Sequence, residues 1–146
     1  MERTASGRTS AEYEQLATRA MVAGDFATAR ALLDGWVQQE PGHLGAWLRR
    51  AAVCRQQGDT AQAFESLSGA LKIDPRCFPA LLMVATLLER VGDVPAAARQ
   101  YESAIAQAPP ADRLDAASRA ALEHGRQLGA KHSAALRDYI QTDLST

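Results

Sequence analysis

The sequence predicts an all-α protein built as a solenoid of three helix–turn–helix repeats, closed by a C-terminal capping helix or helices. Three observations predict it. Gly24, Gly58 and Gly92 lie 34 residues apart, and each is followed by an aspartate, Asp25, Asp59 and Asp93. The same 34-residue offset aligns Ala17, Ala51 and Ala85, then Ala29, Ala63 and Ala97, then Leu33, Leu67 and Tyr101, and finally Pro41, Pro75 and Pro109. Apolar residues make up 47% of the chain while aromatics are only 5%, a mixture that suits closely packed helices better than a β-sandwich. A fixed period of this length is the mark of a repeat architecture, in which each unit buries its apolar face against the next.

Each repeat divides into two helices, A and B. Glycine ends helix A because it adopts the left-handed conformation at little cost. The aspartate or threonine that follows caps helix B by accepting from its free backbone N–H groups. In the third repeat Pro95 falls in the first turn of helix B, where a missing N–H costs nothing. Small alanines stand where A and B cross and let the axes approach. Pro41, Pro75 and Pro109 stop helix B, since the residue before proline avoids the helical region. The expected helices are 10–23, 26–39, 44–57, 60–73, 78–91 and 94–107. The expected organisation is a flexible 1–9, repeats at 10–43, 44–77 and 78–111, and a capping or connecting segment at 112–146.

In that last segment Leu114, Ala117, Ala121, Leu128, Ala135, Leu136, Tyr139 and Ile140 recur at helical spacing. A cap is expected because an abrupt end would expose the apolar face of the last repeat. Ala121, Gly125, Gly129 and Ser133 form a small-residue line at intervals of four, which either permits tight helix contact or marks a break into two shorter helices. The segment is long for a simple cap, so Tyr139 and Ile140 are expected to meet something outside the chain.

Bulk properties exclude several functions. Formal charge is −1 and the pI is near 6.3, so the excess of cations that drives nucleic-acid binding is absent. No run approaches the ~18 apolar residues of a membrane helix, and Met1 to Ser10 lacks the apolar segment of a secretory signal. Cys54 and Cys77 form no CxxC pair and read as buried thiols of a reduced, cytoplasmic protein.

Catalytic chemistry finds no constellation. His43 follows Pro41-Gly42 and reads as a solvated turn residue. His124 and His132 are eight apart, about two helical turns, whereas a metal commonly takes ligands at i and i+4 with a third partner. The cysteines lack a His-plus-acid setting, and the glycines are spent on repeat turns. Neither cofactor nor metal is expected, and the chain is not expected to be an enzyme.

The repeat columns resemble the tetratricopeptide repeat (TPR) family, whose pattern is W-x2-L-G-x2-Y, then A-x3-F, then P. The first repeat supplies Tyr13, Leu16, Ala17, Ala20, Ala29, Leu33 and Pro41; the second Trp47, Arg50, Ala51, Cys54, Ala63, Leu67 and Pro75; the third Leu81, Val84, Ala85, Leu88, Ala97, Tyr101 and Pro109. Two residues depart from it. Arg50 stands where an apolar residue is expected, its stem packing while the guanidinium reaches solvent. Trp36 stands where Ala70 and Ala104 occupy the other repeats, which suggests an open end to be filled.

The resemblance implies a right-handed solenoid whose A helices line a concave groove for a protein or peptide. Its groove columns are Glu14, Thr18 and Met21, then Leu48, Ala52 and Arg55, then Leu82, Thr86 and Glu89. An apolar centre with polar edges of mixed sign suits a short helix or extended peptide. Co-chaperone TPR domains clamp two carboxylates with Lys, Asn and Arg on these helices. Glu14, Thr18, Leu82 and Thr86 offer none of those groups, so a carboxylate clamp is not expected.

A narrower resemblance covers the second half. Phe78-Pro79-Ala80-Leu81-Leu82 through Ala108-Pro109-Pro110-Ala111-Asp112-Arg113-Leu114, with the following helix to Tyr139, is similar to the TPR region ahead of the oxygenase domain in bacterial aspartyl/asparaginyl β-hydroxylase-like proteins. Those oxygenases hold Fe(II) with two His and one carboxylate. No H-x-D or H-x-E occurs here, so the resemblance implies a non-catalytic region, joined to a C-terminal catalytic domain. A third reading is an oligomerisation module using the end near Trp36 or the tail.

Overall fold

The computed structural model describes residues 7–145, and the described residues contain seven α-helices and no strand. The expected 1–9 segment falls largely outside them. The helices are α1 (Ser10–Val22), α2 (Phe26–Gln39), α3 (Leu44–Gln56), α4 (Thr60–Ile73), α5 (Phe78–Arg90), α6 (Val94–Ala106) and α7 (Ala116–Leu144). A short 3-10 turn, Ala111–Arg113, precedes α7. The fold is all-α, and each of the first six helices ends within one residue of its expected bound.

The Gly-Asp pair explains that agreement, because each member closes one helix or opens the next. Gly24, Gly58 and Gly92 take φ of 75°, 76° and 91°. The aspartate N–H then donates back to the helix just ended, Asp25 to Ala20 O, Asp59 to Cys54 O and Asp93 to Leu88 O, at 2.9, 2.9 and 3.0 Å. Each aspartate side chain also accepts the N–H three residues on, from Thr28, Gln62 and Ala96, at 3.2 Å.

The chain divides into two compact units, one reaching Pro75 and holding α1–α4, the other starting at Arg76 and holding α5–α7. In the first, α1 packs on α2, α2 on α3 and α3 on α4. Ala17, Ala29, Ala46, Ala51 and Ala63 are fully buried, so the helices approach without bulky side chains between them. Trp36 fills the core beside them. It is 0% exposed, lies parallel to Tyr13 with centroids 6.1 Å apart, touches the His43 ring at 4.7 Å and donates its indole N–H to Glu40. The larger ring thus fills the core of the first unit.

Arg50 corrects an expectation. It is 8% exposed, and its guanidinium is held inside the unit instead of reaching solvent. Nε donates to Asp34, Nη1 to Ser66 Oγ and Nη2 to Gln62, each at 2.7 Å. These partners sit on α2 and α4, so one arginine of α3 ties both flanking helices. Burial of a charge is tolerated only when its donors are met, and here three are.

In the second unit α5 packs on α6 and α6 on α7. Residues 116–144 form one continuous helix, so the small-residue line marks no break. Gly125 is buried against Tyr101, where a Cβ would collide with the ring, while a Cβ at Gly129 would meet nothing within 4 Å. Only the first half of α7 is covered. Leu122 and Gly125 are buried, Ala117 is exposed, and every residue from Ala135 to Ser145 is exposed.

Candidate functional site

On α1, Glu14, Thr18 and Met21 follow i, i+4, i+7 spacing and share one face; Leu48, Ala52 and Arg55 do the same on α3. The structure leaves Glu14 and Thr18 exposed and Met21 partly exposed, packed against the core of Tyr13, Ala17 and Trp36. Leu48, Ala52 and Arg55 are all partly exposed. The opposite side of α3 is closed, with Ala46, Arg50, Ala51, Val53 and Cys54 buried.

Arg49 sets α1 and α3 side by side. Its Nη2 meets Glu14 Oε1 at 2.9 Å, its Nη1 donates to Gly45 O at 3.2 Å, and its guanidinium carbon lies 5.7 Å over the Trp36 ring. The pair is half-exposed, so its Coulomb contribution is at most about 1 kcal/mol, but it fixes where the Glu14 charge sits. Arg49 was not among the expected site residues. Its signal was legible as an opposite charge one repeat and one residue beyond Glu14.

On α5 the equivalent columns are occupied differently. Leu82 is buried, so it is no open anchor. The Thr86 hydroxyl donates to Met83 O at 2.9 Å. Glu89 accepts from the Tyr101 hydroxyl at 2.9 Å and meets His124 Nε2 at 2.7 Å, while the Tyr101 and His124 rings stand edge-on at 5.8 Å. Burial first, then the bond to Glu89, pushes the Tyr101 phenol well above its ordinary range. The carboxylate expected to face a ligand is thus engaged in holding α6 and α7 to α5.

A second histidine has a structural task. His43 is the N-cap of α3, its Nδ1 accepting from Ala46 N at 3.1 Å, and is partly buried against Trp36 rather than a solvated turn residue. Cys54 and Cys77 are buried free thiols. Desolvation pushes Cys54 up, with Arg30 and Arg50 pulling weakly the other way, so its thiolate is disfavoured. Among the described residues no group of three or more His, Cys, Asp or Glu side chains could hold a metal, and no helix is long and apolar enough to cross a membrane.

Residues 14–76 match a tetratricopeptide-repeat family model. A 60-residue stretch is 37% identical to the peroxisomal targeting signal receptor of Eremothecium gossypii, covering 41% of this chain and 10% of the receptor. The chain therefore spans about a tenth of the length of that curated relative. Among solved structures, the TPR domain of Sgt2 from Aspergillus fumigatus superposes with a TM-score of 0.69 at 21% identity, over 94% of this chain and 88% of that one. The TPR2B domain of yeast Sti1, in complex with pHsp70, superposes with a TM-score of 0.68 at 18% identity, over 84% and 94%. At these identities the likeness shows the fold.

Proposed function

We propose that this chain, a tetratricopeptide-repeat protein, is a non-catalytic interaction module that holds a protein segment on the face shared by α1 and α3. One observation carries the reading: Leu48, Ala52 and Arg55 remain partly exposed along one line of a helix whose other side is buried. An aliphatic anchor ending in a cation suits a short helix or extended peptide that sets an apolar side chain on Leu48 and an acidic one near Arg55. Glu14 and Thr18 edge the same surface from α1. The Sti1 domain in complex with pHsp70 is a protein of this fold engaged with a protein ligand, which supports the class of function and not the ligand's identity. A tail held by paired carboxylates does not suit this face, because Glu14 and Thr18 stand where a clamp needs cations and amides.

The test is selection of binding peptides on the immobilised protein, followed by calorimetric titration of the consensus peptide. Leu48→Glu is expected to weaken binding at least about tenfold, a loss of about 1.4 kcal/mol, with helical circular dichroism intact because the position is partly exposed. Val22→Glu, at an 84% exposed position, is the control and is expected to leave binding unchanged. Equal affinity of both variants sinks the reading. Leu82 is unsuitable for such a test, since a charge at a buried leucine would disturb the fold itself.

The alternative, a non-catalytic TPR region of an aspartyl/asparaginyl β-hydroxylase-like protein, rests on the resemblance of residues 78–139 alone. Reading the source gene for an in-frame oxygenase domain with an H-x-D/E and a distal His decides it.

A further inference from the structure

Three residues break the repeat columns in one place. Glu14 stands where the later repeats carry Leu48 and Leu82, Trp36 where they carry Ala70 and Ala104, and Gly45 where the other repeats carry Ala11 and Pro79. All three meet the guanidinium of Arg49, whose own column holds no cation in Gln15 or Met83. Glu14 Oε1 accepts from Nη2 at 2.9 Å, the Gly45 carbonyl accepts from Nη1 at 3.2 Å, and the Trp36 ring lies 5.7 Å below the guanidinium carbon. A Cβ at Gly45 would stand 2.8 Å from Nη1, so any other residue there would push the guanidinium off its place. Departures from a local rule that gather around one group are expected at functional sites.

The partners of this guanidinium differ in permanence. Trp36 is wholly buried and the Gly45 carbonyl belongs to the backbone of α3, so both hold the cation in place without Glu14. The Glu14 side chain is 54% exposed, and its second oxygen has no partner among the described residues. A half-exposed carboxylate on a fixed guanidinium is held weakly enough to exchange with one from outside. Arg49 lies back towards the start of α3 and Arg55 lies near its end, so the two cations stand at opposite ends of the line of Leu48 and Ala52.

We infer that Glu14 occupies the seat of a ligand carboxylate, and that a bound segment displaces it from Arg49 with an acidic side chain of its own. The segment then carries an acidic residue on each side of its apolar anchor, one for Arg49 and one for Arg55. Glu14 thereby makes the face selective. An apolar segment without the acid leaves the internal pair closed and gains Leu48 alone. An acid without the apolar anchor exchanges one half-exposed pair for another and gains nothing. This inference rests on the reading of the α1 and α3 face as the binding surface.

Calorimetric titration of the whole chain tests it, with the tightest peptide selected from a random phage-displayed library and the same peptide with every Asp and Glu changed to Asn and Gln. Glu14→Gln, at an exposed position, is expected to bind the acidic peptide about three- to fivefold tighter and the amide analogue no better. Arg49→Gln is expected to weaken the acidic peptide about fivefold and to leave the analogue unchanged, a split that a purely structural arginine would not give. Should Arg49→Gln fail to fold, the Glu14→Gln comparison decides alone. A selected peptide without acidic residues, or a Glu14→Gln variant that binds no tighter, overturns the inference and leaves the face standing if Leu48→Glu still loses binding. Binding that survives Leu48→Glu, or enrichment of no peptide at all, overturns the reading of the face and the inference with it.

Discussion

Gly125 of α7 lies against the ring of Tyr101 of α6 so closely that even a methyl group would collide with the ring and its Cβ. Four residues on, Gly129 faces open space. Two glycines of one helix should therefore respond oppositely to the same change. Gly125→Ala gains up to about 1 kcal/mol of helix propensity but must push Tyr101 aside, and overpacking of that kind costs about 1–3 kcal/mol. The expected net effect is a lower urea midpoint. Gly129→Ala has only the propensity gain and should raise the midpoint by an amount equivalent to about 0.5–1 kcal/mol. A shift of the same sign in both would contradict the packing of α7 on α6.

Arg50 makes a second prediction. Its three side-chain partners on α2 and α4 lose their donor together in Arg50→Ala, and Ser66 is fully buried. Chemical denaturation should show a loss of about 2–4 kcal/mol. Arg50→Lys should recover little of it, because one ammonium cannot span three acceptors in the fork that a guanidinium offers. A variant within about 0.5 kcal/mol of the parent would mean that the network contributes nothing net.

Trp36→Ala restores the residue found at Ala70 and Ala104, yet here it should cost about 3–5 kcal/mol. The ring is wholly buried among Tyr13, His43 and Glu40, and neighbouring side chains cannot refill its volume. Solution mass should not change with it. An altered oligomeric state would support a role for Trp36 at an interface.

Acid should loosen the helix N-termini. Hydrogen bonds from Ser118, its backbone first and then its side chain, hold the Asp115 carboxyl below the ordinary carboxylate range; Thr28, by side chain and then backbone, does so for Asp25. A carboxyl lowered in the folded state stabilises above its unfolded pKa of about 3.9, and that contribution is lost as pH falls through the folded value. Urea midpoints should therefore fall below about pH 4, and less steeply in Asp115→Asn, which keeps a capping oxygen without the charge. Tyr101 works in the other direction. Its phenol is raised in the folded state, so its contribution is present below about pH 10 and fades above it. Tyr101→Phe should remove that alkaline slope.

Much of this architecture was legible because it is written locally. The Gly-Asp pairs carry both the left-handed residue and the next cap, and three copies at one spacing leave the helix ends little freedom. What was illegible depends on partners far along the chain. Nothing near Arg50 announces that Asp34, Ser66 and Gln62 converge on it, so exposure was the natural expectation for a charged residue. His43 sits after Pro-Gly, which reads as a turn, and only the start of α3 makes its ring a cap. In α7 the apolar residues are spread around the helix, and the position of Tyr101 selects Leu122 and Gly125 for burial instead of Ala117. The candidate groove columns follow from the repeat spacing, and on α1 and α3 their residues are exposed or partly exposed. On α5 the burial of Leu82 and the Tyr101–Glu89–His124 contacts spend what the columns promised.

The most direct test of the proposed function is amide chemical-shift mapping of the labelled chain titrated with its selected peptide. Perturbations centred on Thr18, Leu48, Ala52 and Arg55, with α7 unmoved, are the predicted result. A map centred on α6 and α7 that leaves the α1 and α3 face silent would contradict it.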